Sequence, residues 1–357
     1  MIVKQYALYI LFGILIACTA CERQEQVRVE MPLTLYLPAS TTVQHAPRRV
    51  MGDPGTSENF SLPNYVYIFV LWDDGSQWKM LAREDLRLIP TLDWERTRYT
   101  GSLMTENDSI FRFRTKLNIM LPQNGLAGRV YAVAAPIPLD DVFSQSFSSI
   151  HNLNEVLNLK IDVSSNEMQS NLHNIYSTPY NYEVGGKYYG SFANPTEYVV
   201  SIDLMLYHIA SKVDLQWYVN EANRVNQTDP SQAVRLTYLE ARNLFTGNAY
   251  CFKPLRNEVA SLPSTGYTIA DIVTPTDEGK WWEGRSYFYT IPYTVTGEPG
   301  YFPLQLRMGT NGTKESAAYY LTLKQPVDTT AVFAPWIRGV FNFTQPLGNT
   351  SETKIAS

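Results

Sequence analysis

The chain is poor in the residues that build chemical centres. Its 357 residues include only four His and three Cys, little for a soft-metal site or a redox pair. His45, His151, His173 and His208 are scattered, and none sits at metal-ligand spacing from a carboxylate or a second His. No metal and no cofactor is therefore expected. No Gly-x-Ser-x-Gly elbow and no phosphate-cradling Gly loop is present. Charged residues make up 18%, with 29 Lys and Arg against 34 Asp and Glu. Without a basic block to follow a phosphate backbone, nucleic-acid binding is excluded. No short-period repeat supports a propeller or a solenoid.

What is present is apolar and aromatic. Apolar residues reach 45%, which rules out wholesale disorder, and the length suits roughly two domains. The 24 Tyr residues favour half-buried sheet faces, where an apolar ring is buried and the hydroxyl stays wet. Strict alternation is the main signal. Val27, Val29, Met31, Leu33, Leu35 and Leu37 are apolar at every second position, which predicts one long amphipathic strand. Pro32 cannot donate to a ladder, so that strand is expected at an edge or with a bulge. The unbroken run Tyr65 to Leu71 predicts a buried central strand ending in a hairpin at Asp73-Asp74-Gly75. Phe111 to Leu121 alternates, and Val130 to Ala135 follows a Gly-rich turn. Leu153, Val156 and Leu157 have helical spacing, with Ser148 or Ser149 placed to cap it. Gly185-Gly186 marks the approach to a domain boundary. Beyond it come the run from Tyr198 to Leu206, read as apolar, the alternating Val213 to Val219, and strands near residues 287–292, 301–308, 319–324 and 340–343. Many short strands with Gly and Pro turns predict an all-β chain of β-sandwiches with one or two short helices.

The N-terminus has its own pattern. Tyr6 to Ala17 is an apolar run of twelve residues, shorter than the roughly 20 needed to span a bilayer, and fits a secretory signal peptide over residues 1–17. It ends in Leu15-Ile16-Ala17-Cys18, which resembles the bacterial lipobox. The resemblance implies a lipidated Cys18, with Cys21 as the alternative, and anchorage in outer-membrane lipid through several acyl chains.

The order of segments resembles the fimbrillin family of Bacteroidales surface lipoproteins, the subunits of type V pili. The lipobox, the alternating strand, the loop bearing Ala46-Pro47-Arg48-Arg49, and the aromatic strand ending in Asp-Gly carry that likeness. Val130 to Ala134, Tyr189-Gly190-Ser191-Phe192, Leu204 to Val213, and Trp336 to Phe341 extend it over most of the chain, each motif being loose. The resemblance implies two tandem transthyretin-like β-sandwich domains, divided as 18–190 and 191–357, and no catalytic site. It also implies a mechanism. A trypsin-like protease cuts after Arg48 or Arg49 and the N-terminal strand leaves. A neighbouring fimbrial subunit then fills the groove by β-strand addition at the cell surface. The alternative for Arg48 and Arg49 is two solvated side chains in a polar loop.

Other residues remain candidates. Cys251, in an apolar setting, is expected to be a buried structural thiol. Trp281 and Trp282 could stack on a sugar or cover a host or bacterial receptor surface, or could simply pack. Ser109 and Thr329 lie in Asp-Ser-Ile and Asp-Thr-Thr, which resemble the short O-glycosylation motif of this bacterial phylum. Gly348 to Lys354 lacks large apolar side chains, so the segment from Gly348 to Ser357 is expected to be a flexible tail with no strand to donate. That would suit a tip or accessory subunit, unless the strand near Val340 is the donor. The readings are an adhesive fimbrial subunit, a monomeric glycan- or receptor-binding surface lipoprotein, and, last, a hydrolase on a β-sandwich.

Overall fold

The computed structural model describes residues 26–38, 61–98, 109–122, 127–178, 183–184, 187–188, 191–192, 202–219, 236–253, 256–264, 266–270, 283–297, 301–310, 319–326, 337–343 and 352–356. The chain is all-β. Its first half carries β1 (Gln26–Pro38), β2 (Tyr65–Asp73), β3 (Trp78–Arg87), β4 (Glu95–Arg98), β5 (Ser109–Pro122), β6 (Gly128–Ala135), β7 (Lys160–Asp162) and β8 (Tyr176–Ser177). The short β9 (Glu183–Val184), β10 (Lys187–Tyr188), β11 (Ser191–Phe192), β12 (Ile202–Met205) and β13 (Tyr207–His208) follow. One sheet has the order β12-β1-β5-β4. A second runs β13-β8-β6-β2-β3, with β11 also bonded to β6.

The two sheets bury different numbers of faces, and the sequence patterns follow from that. In β2, Val66, Ile68 and Val70 point toward β1 and β5 and join Met31, Leu33, Leu35, Leu37, Phe113, Leu117 and Ile119 in one core. The intervening Tyr67, Phe69 and Leu71 point the other way, into a second core with Tyr131, Val133, Ile161 and Phe252. A strand covered on both faces needs no polar alternation, so the run Tyr65 to Leu71 is the buried strand that its composition predicts. Burying Tyr67 also requires a partner for its hydroxyl. That hydroxyl donates to Asp140 Oδ2 at 2.8 Å and accepts the Leu139 N–H at 2.9 Å. The sheet holding β1 and β5 has one wet face, and both strands alternate.

Turn and cap chemistry is local. The β2–β3 hairpin turns at Gly75, whose φ of 87° suits a residue without Cβ. Asp73 accepts the Gly75 N–H at 2.9 Å, and Asp74 accepts the N–H groups of Ser76 and Gln77 at 2.8 Å. Three short helices are described: α1 (Pro90–Asp93), α2 (Leu153–Leu157) and α3 (Asn166–Asn171). The cap of α2 differs from expectation. Ser148 and Ser149 lie in a 3₁₀ turn, and Asn152 caps instead, accepting the Glu155 N–H at 3.0 Å. Glu155 reaches back to the His151 N–H. The cap must sit directly before the first helical residue, and the serines are too far upstream.

The second half carries β14 (Ser211–Val219), β15 (Leu236–Arg242), β16 (Asn248–Tyr250), β17 (Glu258–Val259), β18 (Gly266–Ala270), β19 (Glu283–Thr290), β20 (Thr294–Val295), β21 (Tyr301–Thr310), β22 (Tyr319–Pro326), β23 (Ile337–Phe343) and β24 (Glu352–Ala356). Its main sheets run β19-β14-β23-β24 and β18-β15-β21-β22. Within the expected flexible tail, Glu352–Ala356 is a strand, antiparallel to β23 from Arg338↔Ala356 to Asn342↔Glu352. The expectation weighed only side chains. A strand at a sheet margin is held by ladder hydrogen bonds, which a polar sequence can also make.

The halves are tied together. β11, β12 and β13 lie beyond residue 190 yet bond to β6, β1 and β8, and β16 pairs with β7. The core on the far face of β2 takes Ala241, Leu244, Phe245, Cys251, Phe252 and Tyr293 from the second half. Burial pushes the Cys251 thiol far above its usual range, which keeps it neutral and inert. Phe252 packs edge-to-face on Phe69 and Tyr131, with centroids 6.0 and 5.2 Å apart. Replacing Phe252 by Ala should cost about 3–5 kcal/mol. In urea titration both halves should lose stability together, in one transition.

Candidate functional site

The site is the seat of β1. Its alternating sequence makes one apolar face, and the chain lays the strand between two different walls. On one side β1 is antiparallel to β5 along its whole length, from Gln26↔Pro122 to Pro38↔Ile110, without a register break. On the other it is parallel to β12, from Leu33↔Ile202 to Tyr36↔Met205, and Tyr36 C=O accepts the Leu206 N–H at 2.9 Å. The strand is thus interior and unbulged over residues 33–36, a correction to the edge or bulge expected from Pro32. The described ladder to β12 starts one residue after Pro32, so that ladder asks no N–H of the proline.

Met31, Leu33, Leu35 and Leu37 are fully buried or nearly so, against Val66, Ile68, Val70, Val130 and Leu204. Val29 packs half-buried on the same core. Val27 pairs with Leu121 by backbone. At about 1.5–3 kcal/mol per side chain, the four buried residues contribute roughly 6–12 kcal/mol. That equals the whole stability of a typical domain, about 5–15 kcal/mol. The ladder bonds add a second constraint, since a vacant seat would leave backbone donors and acceptors of β5 and β12 unpaired. β12 depends most on this, because β1 is its one bonded neighbour in the sheet among the described residues.

The wet face of the seat is polar and ordered. β5 presents Arg112, Arg114 and Lys116 at every second position. Arg112 reaches Glu95 Oε2 at 2.6 Å, and Lys116 reaches Glu30 Oε2 on β1 at 2.8 Å. Across the other wall, Thr34 and Asp203 are register partners and share a side-chain hydrogen bond. Partial withdrawal from water raises the Asp203 carboxyl above its usual range, while the Thr34 hydroxyl, Arg114 and Arg112 act against that rise. Burial, and then Asp203, raise the Tyr36 phenol.

Other expected site residues are not brought to this seat. Ser109 is the first residue of β5, with Arg98 as its backbone partner. Cys18, Cys21, Arg48, Arg49, Trp281, Trp282 and Thr329 lie outside the described residues. Asp73 and Asp74 are spent on the hairpin. A hydrogen bond to Lys79 and then bonds to Ser76 and Gln77 hold the Asp74 carboxyl well below the usual range, unlike a proton donor. Among the described residues no group of three or more His, Cys, Asp or Glu could hold a metal ion. No described helix is long and apolar enough to cross a membrane. Sequence reasoning missed the second wall. Ile202-Asp203-Leu204 alternates within the run read as apolar, and the carboxylate in its middle was the signal.

No protein-family model matches the chain, and no curated protein sequence matches it. Solved structures do. A candidate cell adhesion protein from Parabacteroides distasonis is 13% identical, over 92% of this chain and 96% of that one, with a TM-score of 0.49. A candidate cell adhesion protein from Bacteroides eggerthii is 13% identical, over 92% and 95%, with a TM-score of 0.47. A fimbrial assembly protein from Parabacteroides distasonis is 12% identical, over 92% and 96%, with a TM-score of 0.44.

The two faces of the seat should answer mutation unequally. Leu35→Ala should cost about 2–5 kcal/mol, through lost transfer energy and a cavity. Lys116→Ala, on the wet face, should cost less than about 1 kcal/mol. Urea midpoints of the two variants at constant m-value measure the difference.

Proposed function

We propose that the chain is a structural or adhesive subunit of a cell-surface fimbria, assembled by strand exchange at the seat of β1 rather than by catalysis. The observation that carries this reading is the seat itself. A strand near the N-terminus, joined to the body through residues 39–60, supplies one side of a core that the domain cannot lose. Cutting the chain after Arg48 or Arg49 would leave β1 held by non-covalent forces alone. Its departure would open an apolar groove between two unpaired backbone edges, which an extended strand of another subunit would refill by β-addition.

The remaining elements have places in this scheme. Residues 1–17 direct export, and Cys18, or else Cys21, carries the lipid that holds the precursor at the outer membrane. Removing β1 also removes that anchor, so release and readiness to assemble follow from one cut. β24 is already bonded to β23 in its own sheet, which supports a tip or accessory place, where a subunit receives a strand.

Two experiments test the scheme. Cys18→Ser should abolish lipid labelling and release precursor from the membrane fraction; full labelling would move the anchor to Cys21. In the double variant Arg48→Ala/Arg49→Ala, mass spectrometry should find β1 retained and size-exclusion chromatography should find no polymer. Normal polymers from that variant would overturn the assigned cut. A cleaved wild-type chain that stays monomeric beside other subunits would leave a surface lipoprotein that binds its receptor alone.

A further inference from the structure

The apolar side of the seat cannot by itself choose a strand or its register. Any segment with large aliphatic residues at alternate positions presents the same face, and a slip of two residues keeps that face inward. We propose that the seat selects its incoming strand by two polar contacts on the wet face. One is a carboxylate at the position of Glu30, the other a hydroxyl at the position of Thr34. This inference rests on the strand-exchange reading above.

The two walls supply the two readers. Lys116 of β5 is 2.8 Å from Glu30, and Asp203 of β12 is bonded to the Thr34 hydroxyl. Partial withdrawal from water raises the Asp203 carboxyl, and the Thr34 hydroxyl, then Arg114 and Arg112, oppose that rise. The hydroxyl is the donor that answers the charged carboxylate, which can only accept. Lys116 in turn can only donate. Thr34 is buried, while Glu30 and Lys116 are more than half exposed, so the hydroxyl contact is the drier of the two.

The four-residue spacing makes the pair a register lock. If each residue of β1 moved two places toward its C-terminal end, Glu30 would stand directly opposite Lys116, and Pro32, which has no donor, would face Asp203. Moved two places the other way, Glu30 would lie opposite Met120, away from Lys116, and the longer Tyr36 would face Asp203. Each slip keeps the apolar face and breaks one of the two contacts, the hydroxyl contact in the first and the carboxylate contact in the second, so both are needed to fix the register. The partner that fits is an extended segment with five alternating apolar residues, an acid between the first two, and Ser or Thr between the third and fourth. β24 of a second copy does not fit, since Glu352–Ala356 has Ile355 as its one large aliphatic residue. The occupant is a strand of a different subunit.

Peptide exchange into the full-length chain tests this. A specific protease site is placed within residues 39–60 and cut, leaving β1 seated. A fluorescent peptide of residues 26–38 is then exchanged in after a mild denaturant pulse, and anisotropy reads its occupancy. Glu30→Lys and Thr34→Val peptides should each compete about fivefold more weakly, the size of a cross-strand polar pair. The Glu30→Lys deficit should shrink at about 1 M salt, where the screening length is ~3 Å, and the Thr34→Val deficit should persist. In a Lys116→Glu chain the preference should reverse, the Glu30→Lys peptide now competing better than the unaltered one, which loss of folding could not produce. Equal competition by all three peptides would overturn the code and leave strand exchange standing. Failure of the unaltered peptide to enter the cut chain would overturn strand exchange itself.

Discussion

The structure depends on the insertion of β1 between β5 and β12. The strand supplies four residues of the first half's core and, among the described residues, the ladder partner of β12, so two kinds of force meet in thirteen residues. Burial gives the seat its depth, since four nearly dry side chains at alternate positions are worth about as much as a domain's net stability. The ladder gives it direction, since unpaired backbone in a dry groove is costly. Neither force depends on a covalent bond to β2. On the strand-exchange reading proposed above, a segment held in this way is replaced by another of the same kind.

The sheet facing β1 is built for the opposite purpose. With β2 and β6 covered on both faces, it serves two cores at once, and the second core draws Phe252, Tyr293 and Cys251 from the other half of the chain. This sheet is the fixed part against which the β1 seat is measured. β11, β12 and β13 extend the first half's sheets past residue 190 before β14 begins. The junction between halves is thus made of ladder bonds and shared core as well as linker. The strand that lines the seat and the strand that starts the second half are separated only by residues 206–210.

The wet face carries less energy and more information. Salt bridges such as Lys116 to Glu30 contribute little to stability in solvent, yet on the proposed reading they and the Thr34–Asp203 contact together distinguish registers that burial treats as equal. Arg112, Arg114 and Lys116 come at alternate positions because a strand's period of two sends every second residue outward. The carboxylates that answer them come from three different strands, β1, β4 and β12.

Much of this was legible from residue order. Alternation in Val27 to Leu37 and Phe111 to Leu121, and its absence in Tyr65 to Leu71, told which strands had one dry face and which had two, because side-chain direction is a local property of the backbone. Asp73-Asp74-Gly75 announced its hairpin for the same reason. What only tertiary structure decided was partnership. That β12 lies beside β1 and brings Asp203 to Thr34, that Asn152 caps α2, and that Phe252 closes a core begun by Tyr67 are facts about residues far apart or competing for one place. The polar segment Glu352–Ala356 became a strand because β23 offered it a free edge, which nothing in its own side chains records. Periodicity fixes which face of a strand is dry; only the assembled sheet fixes which strand comes next to it.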